Sequence, residues 1–308
     1  MKWIKRGLVK IPSKMGSWAS THAMVPFPFQ INEKVIRVFT TFLDQKGIGR
    51  PGYIDISVDD PLKVLNYSST PILDIGSPGS FDDNGIVLCS VVLNSDGSLY
   101  MYYSGFESCH KIRYRILTGL AISNNGGETF KRFSNVPILE RSEKELFIRG
   151  GPFVINEENK FKLWYVSGSS WINLNGKKSP SYDIKYLESK DGFSWHKEGE
   201  TVLPLTKKDE YAFGRPAIYL NKNNSYRMFY SIRKKSLATY RLGYAESNNG
   251  TEWIRKDAKL NLDVSPNSFD SDAIMYGCPF KIKDKLYLFY NGNEFGKEGF
   301  ALAMLTEE

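Results

Sequence analysis

A chain of 308 residues is long enough for a large core, and 14% of it is Phe, Trp or Tyr, set mainly in short alternating runs that suit half-buried strands better than helices. The formal charge of +7 is spread through turn positions without a dense basic run or a nucleic-acid motif, which argues against a nucleic-acid partner. Cys89, Cys109 and Cys278 are odd in number, far apart and free of any CxxC spacing, so they are expected as buried thiols and not as a disulfide framework or zinc site.

Residues 1–14 carry basic residues at both ends and no apolar run of signal-peptide length. Nothing further along approaches a membrane span, so a cytoplasmic protein is expected.

One strand pattern then occurs five times: Val35-Ile-Arg-Val-Phe-Thr-Thr, Leu99-Tyr-Met-Tyr-Tyr-Ser-Gly, Phe161-Lys-Leu-Trp-Tyr-Val-Ser-Gly, Tyr226-Arg-Met-Phe-Tyr-Ser and Leu286-Tyr-Leu-Phe-Tyr-Asn-Gly. The equivalent positions Thr40, Tyr103, Tyr165, Tyr230 and Tyr290 lie 63, 62, 65 and 60 residues apart. A period of this size signals a repeat architecture. The middle repeats continue with Gly119-Leu-Ala-Ile-Ser-Asn-Asn-Gly, Tyr186-Leu-Glu-Ser-Lys-Asp-Gly and Tyr244-Ala-Glu-Ser-Asn-Asn-Gly. In each, a strand meets an Asx-Gly turn and an aromatic residue opens the next strand, which is a hairpin signal.

Four short antiparallel strands per repeat make a propeller blade. The fold class expected is therefore all-β, a five-bladed β-propeller forming a single domain over residues 1–308. The fifth repeat ends one strand short, after Gly299-Phe-Ala-Leu-Ala-Met. The opening Trp3-Ile-Lys-Arg-Gly resembles Trp253-Ile-Arg-Lys-Asp, so the N-terminal strand is expected to complete the last blade and remove two open edges.

In a blade, the start of the first strand, the end of the second and the start of the third reach one face of the axial channel. That rule selects His22, Asp82 or Asp83, Arg149, Glu210 with Arg215, and Asp270 with Asp272 from first-strand starts. It selects Asp44, Ser167, Arg233 and Asn291 from second-strand ends, and Arg50, Arg115, Tyr182, Asp183, Lys185, Tyr240 and Arg241 from third-strand starts. Cleavage of a glycosidic bond needs one carboxylic acid and one carboxylate facing it. Asp83 and Asp272, in the corresponding turns Phe81-Asp-Asp-Asn-Gly and Phe269-Asp-Ser-Asp, are the leading carboxylates, and Glu210 is the candidate acid. The alternative for each aspartate is a turn residue that bonds nearby amides.

Arg149, Arg215, Arg233 and Arg241 suit phosphate or a sugar carboxylate, or else pair with buried carboxylates between strands. His22, Asp44, Tyr182, Asp270 and Asn291 complete the expected substrate-binding set, and Trp18 and Trp171 offer rings for sugar stacking or core packing. No motif calls for a metal or cofactor.

The motifs Phe81-Asp-Asp-Asn-Gly, Gly214-Arg-Pro and Phe289-Tyr-Asn-Gly-Asn, with the five repeats, resemble the five-bladed propeller enzymes of glycoside hydrolase families 32, 43, 62, 68 and 130. With His22-Ala23 near the first blade, the resemblance is nearest to glycosidase-like proteins associated with bacterial surface-polysaccharide synthesis. It implies an oligosaccharide, polysaccharide or sugar-nucleotide substrate. The Trp-Met-Asn-Asp-Pro, Arg-Asp-Pro and Glu-Cys signatures of the invertase-like families are absent, and His22 stands where related hydrolases often place an Asp. Transfer to phosphate, transfer from a nucleotide sugar, and non-catalytic glycan binding therefore stay open beside hydrolysis.

Overall fold

The structure is a computed structural model that describes residues 1–158, 160–174, 176–237 and 239–308. It is nearly all β. In chain order the strands are β1 (Lys2–Lys10), β2 (Thr21–Gln30), β3 (Val35–Leu43), β4 (Gly49–Ser57), β5 (Val64–Tyr67), β6 (Ile86–Leu93), β7 (Leu99–Ser108), β8 (Tyr114–Ser123), β9 (Lys131–Arg132) and β10 (Ile148–Glu157). They continue as β11 (Lys160–Leu174), β12 (Lys177–Ser189), β13 (Glu200–Leu203), β14 (Glu210–Leu220), β15 (Tyr226–Lys234), β16 (Tyr240–Ser247), β17 (Ile254–Arg255), β18 (Met275–Ile282), β19 (Lys285–Asn291) and β20 (Gly299–Glu307). Among the described residues no helix is long and apolar enough to cross a membrane.

The chain divides into two compact units. Met1–Ile72, Ala217–Ile232 and Thr239–Glu308 form the first; Leu73–Pro216 with Arg233–Ala238 form the second.

The first unit holds two complete four-stranded sheets, β2-β3-β4-β5 and β1-β20-β19-β18. β1 lies antiparallel to β20, with Ile4 opposite Met304 and Val9 opposite Phe300. Along β1 Trp3 is half-buried and Ile4 exposed, and pairing in this register turns Val9 inward and satisfies the edge of β20, whose Phe300, Ala301, Leu302 and Ala303 are fully buried. The sequence from Ala217 to Ile232, with β16 and β17, adds further strands, and Phe229, Tyr244, Ile274, Leu288 and Tyr290 pack together in its core. Arg37 and Asp55 form a bidentate pair at 2.8 and 3.0 Å on facing strands β3 and β4, nearly sealed from water.

In the second unit β6-β7-β8 carries β9, and β10-β11-β12 carries β13. Val92, Tyr102, Leu120, Phe161, Leu163 and Leu187 share a core. β11 and β12 continue past their sheet as a hairpin arm in which Trp171 faces Pro180 and Leu174 faces Lys177.

The Asx-Gly turns close as their residue types dictate. Gly127, Gly192 and Gly250 adopt φ of 83°, 80° and 80° and donate their N–H to Ser123, Ser189 and Ser247, while Asn125, Asp191 and Asn249 accept amides beyond the turn. The aromatic residue leads directly into β9 and β17. After Trp195 the fourth strand begins only at Glu200, because Trp195 turns edge-on to Tyr102 and Gly199 is held by Glu145.

Candidate functional site

The tyrosines that mark the repeat share one chemical environment. Tyr103 donates to Asp82 at 3.1 Å, Tyr165 to Glu145 at 2.7 Å, Tyr230 to Asp257 at 2.5 Å and Tyr290 to Asp270 at 3.0 Å. Each carboxylate also meets a cation: Arg132 at 2.8 Å, Arg149 at 3.0 Å, Arg255 at 2.6 Å and Lys5 at 2.5 Å respectively. Burial pushes all four phenols well above their ordinary pKa, so each keeps its proton and remains a donor. Three of the rings lie against glycines, since a Cβ at Gly119, Gly199 or Gly243 would stand 2.3, 2.4 or 2.4 Å from Tyr103, Tyr165 or Tyr230. We call these triads latches, because each ties strands of a sheet together from within.

The Glu145 latch is the most elaborate. Besides Tyr165 and Arg149, Glu145 accepts from Ser167 at 2.8 Å and from the Gly199 N–H at 2.9 Å, and Lys185 stands 3.7 Å away. Glu145 and Arg149 are 0% and 1% exposed. Burial raises the pKa of neighbouring Asp183, with Lys185 opposing the shift and Glu145 adding to it.

The latches account for two residues expected at a substrate. Arg149 and Asp270 are both sealed in them, directed at protein partners. Three more expected ligands also serve the backbone. Arg215, 3% exposed, donates from Nε and Nη2 to the Cys89 carbonyl at 3.2 and 2.9 Å. Asn291, fully buried, accepts from the Val25 N–H at 2.7 Å and donates to the Ala23 carbonyl at 2.8 Å, clamping a bulge where His22 and Val25 have φ of 62° and 57°. Asp44 caps the β3–β4 turn through Lys46 and Ile48 amides and pairs with Arg50 at 2.9 Å. Burial would raise its pKa, but these amides and Arg50 hold it low.

The remaining expected residues stay at strand starts. In the second unit Asp83 accepts from the Gly79 N–H at 2.8 Å through one oxygen, while its other oxygen is buried with no hydrogen-bond partner among the described residues. Glu210, 5% exposed, opens β14 with Lys207 3.7 Å away. Beside it Tyr211 lies under the guanidinium of Arg233, 5.3 Å from ring centroid to carbon, and Tyr182 pairs across to Ala212.

Tyr182, Tyr211 and Arg233 act on a residue the sequence reading missed, Tyr114, the first residue of β8. Burial pushes its hydroxyl up to about 12, and the groups acting on it next are Tyr182, Arg233, Arg113 and Tyr211. Trp171, on the hairpin arm, is edge-on to Tyr114 at 5.8 Å and to Phe147 at 6.3 Å, and its indole N–H is buried without a hydrogen-bond partner among the described residues. Three phenols, two guanidinium groups and an indole N–H thus supply donors around a half-buried surface, which suits an oxygen-rich, anionic ligand. The neighbouring signal was Arg113-Tyr-Arg115, read there for Arg115 alone; that arginine pairs with Glu107 at 2.7 Å.

In the first unit the Asp272 side chain is exposed and has no partner among the described residues, while its carbonyl accepts from Arg241 at 2.8 Å and Thr239 at 2.7 Å. Arg241 also pairs with Asp263 at 3.1 Å. His22 is half-buried, its N–H given to the Lys297 carbonyl; burial lowers its pKa and the nearby Glu294 opposes this. The ring is therefore neutral at pH 7. Trp18 packs edge-on to Phe42 and donates to the Ser69 carbonyl, so it serves the core. Cys89 and Cys278 are buried thiols; Cys109 is partly exposed.

Over almost its full length this chain has the fold of glycoside hydrolases of known structure. One glycoside hydrolase superposes with a TM-score of 0.74 at 18% identity over 99% of this chain and 92% of the other. A thermostable family-43 glycoside hydrolase gives 0.69 at 14% over 94% and 91%, and a structure from the GH130 family of mannoside phosphorylases gives 0.65 at 14% over 94% and 85%. No protein-family model matches the chain. By sequence, it belongs to the same family as "Uncharacterized protein Rv1502" of Mycobacterium tuberculosis strain H37Rv, to which it is 31% identical over 305 residues, 99% of both chains. The corresponding protein MT1551 of strain CDC 1551 matches to the same extent.

Proposed function

We propose that this protein is a carbohydrate-active enzyme that acts on a glycosidic bond of an anionic glycan, built as one five-bladed β-propeller with its N-terminal strand in the last blade. The fold likeness to glycoside hydrolases supports the scaffold and not the chemistry, since fold alone does not establish function. The observation that carries the chemistry is Asp83, a carboxylate just ahead of β6 with one buried oxygen that has no hydrogen-bond partner among the described residues. A buried polar atom of this kind costs stability unless a ligand completes it.

In this reading Asp83 is the base that takes a proton from the attacking nucleophile, and Glu210 is the acid that gives a proton to the departing glycosidic oxygen. Arg233, Tyr182, Tyr211 and Tyr114 hold the sugar's hydroxyl and anionic groups, and Trp171 lies against a sugar ring.

The second reading is transfer, to phosphate or from a nucleotide sugar, and the observation favouring it is the pair Arg113 and Arg233 acting on Tyr114. Guanidinium groups match phosphate oxygens bidentately. Surface-polysaccharide metabolism is the setting that either chemistry fits.

The test incubates the protein with nucleotide sugars, inorganic phosphate and acidic polysaccharide fragments, with products read by mass spectrometry for wild type, Asp83→Asn, Glu210→Gln and Asp272→Asn. Product whose formation is lost in Asp83→Asn and Glu210→Gln supports the enzyme, and its mass separates hydrolysis from transfer. Saturable glycan binding with no product from any mixture would instead support a non-catalytic glycan-binding protein.

A further inference from the structure

Within the first unit, the end of β18 far from Asp272 borders a cavity of about 1050 Å³, framed by the turn before β15, the β18–β19 hairpin and the end of β20. A strand of this length puts it roughly 20–25 Å from the β18 entrance. The volume suits a ligand of several sugar rings in size.

Its most unusual residue is Arg227. The residue is 8% exposed, and its guanidinium pairs at 2.8 Å with Glu308, whose side chain is 66% exposed. Removing a guanidinium from water costs several kcal/mol unless a well-placed carboxylate offsets it. Arg37 shows how this fold normally does so, with a bidentate and equally buried Asp55. The Arg227 pair is a single contact to a carboxylate that stays mostly in water, and such a pair contributes little.

Two more cations line the same cavity. Lys222 and Lys285 are exposed and make no side-chain contact with an acidic group among the described residues, whereas Lys259 is neutralised by Glu246 at 2.8 Å. The cavity therefore holds a buried fork for an anion, two positive charges that no acidic group pairs among the described residues, and three exposed carboxylates, of which Asp284 and Glu307 are matched to Lys281 and Lys2 while Glu308 fills the anion's place.

We propose that this groove is a binding site for a carbohydrate bearing a carboxylate or phosphate group, with Arg227 taking the anion bidentately, Lys222 and Lys285 flanking it, and Glu308 as the displaceable internal competitor. The site does not depend on the glycosidic chemistry proposed above, and its test measures binding only.

Isothermal titration at low salt with glucuronate, glucose 1-phosphate, inorganic phosphate and glucose decides it, with Asp83→Asn used throughout so that ligand turnover cannot intrude. The two anionic sugars bind and glucose does not. Glu308→Gln tightens binding roughly 5-fold by removing the competitor, and Arg227→Gln weakens it at least about 10-fold. Lys222→Ala with Lys285→Ala weakens it roughly 3- to 5-fold and flattens its salt dependence. This pair is exposed, so it carries the test if Arg227→Gln does not fold. No saturable binding by either the parent or Glu308→Gln overturns the site. Phosphate binding as tightly as either sugar overturns the carbohydrate assignment, and an unchanged affinity in Glu308→Gln overturns the competitor role.

Discussion

Tyrosine and arginine meet in two kinds of place in this protein. In the latch at Tyr165, the hydroxyl and Arg149 both converge on the buried carboxylate of Glu145. Around Tyr114 the groups that act on it most strongly after burial are two phenols and two guanidinium groups. The first arrangement is electrostatically closed and serves the fold. The second gathers phenols and guanidinium groups at a half-buried surface, where their N–H and O–H groups can meet an oxygen-rich ligand.

The comparison can be broken most sharply at Glu145. Its replacement by Ala leaves Arg149 buried without a counter-charge, so chemical denaturation should show a loss of about 3–5 kcal/mol. A loss below about 1 kcal/mol would mean that the triad is no latch. At the strand starts the prediction reverses. Asp83→Asn and Glu210→Gln keep shape and hydrogen bonding, so unfolding midpoints should barely move while turnover of a glycan substrate falls about 10²- to 10⁴-fold.

Smaller effects sharpen the picture. Gly119→Ala puts a methyl group 2.3 Å from the Tyr103 ring, so that ring must leave Asp82; a loss of about 1–3 kcal/mol is expected, and the double variant with Tyr103→Phe should lose less than the sum. Tyr165→Phe alone removes one neutral donor from Glu145 and should lose about 1 kcal/mol.

The smallest effect is a pH dependence. Burial would raise the Glu246 carboxyl, but Lys256, Lys259 and Tyr244 overcome it and hold the pKa at about 2. A depressed carboxyl contributes stability above its unfolded pKa of about 4.3, and this is lost as pH falls toward 2. Glu246→Gln should therefore lie below wild type at pH 6 and converge on it near pH 2, measured by urea midpoints. Parallel curves would show that Glu246 does not supply this term.

Much of the fold was legible because it is written in local pattern. The recurrence of Tyr103, Tyr165, Tyr230 and Tyr290 marked equivalent strands, Asx-Gly turns marked hairpins, and Trp3-Ile-Lys-Arg-Gly marked a strand that pairs with the end of the chain. The latch carboxylates were not legible as a set. Asp82, Glu145 and Asp270 lie 21, 20 and 20 residues before Tyr103, Tyr165 and Tyr290, whereas Asp257 lies 27 residues after Tyr230, so one offset finds three of them and fails at the fourth. The offset does not say which way a side chain turns, so Arg149 and Asp270 read as ligands although the structure turns both inward.

The candidate site divided the same way. Glu210 stands where the blade rule placed it, as the first residue of β14, whereas Tyr182 falls within β12, because that strand begins out on the hairpin arm. Whether a charged group there meets a partner or water depends on residues tens of positions distant, and only tertiary packing decides it. The sequence by itself determined the all-β class, the repeat and the order of strands, since backbone propensity and side-chain period act over a few residues. The tertiary structure decided which polar groups are matched, because burial and hydrogen bonding are settled between segments: it closed Asn291 and Arg215 onto backbone carbonyls, left an oxygen of Asp83 without a hydrogen-bond partner among the described residues, and brought Tyr211 and Arg233 to act on Tyr114.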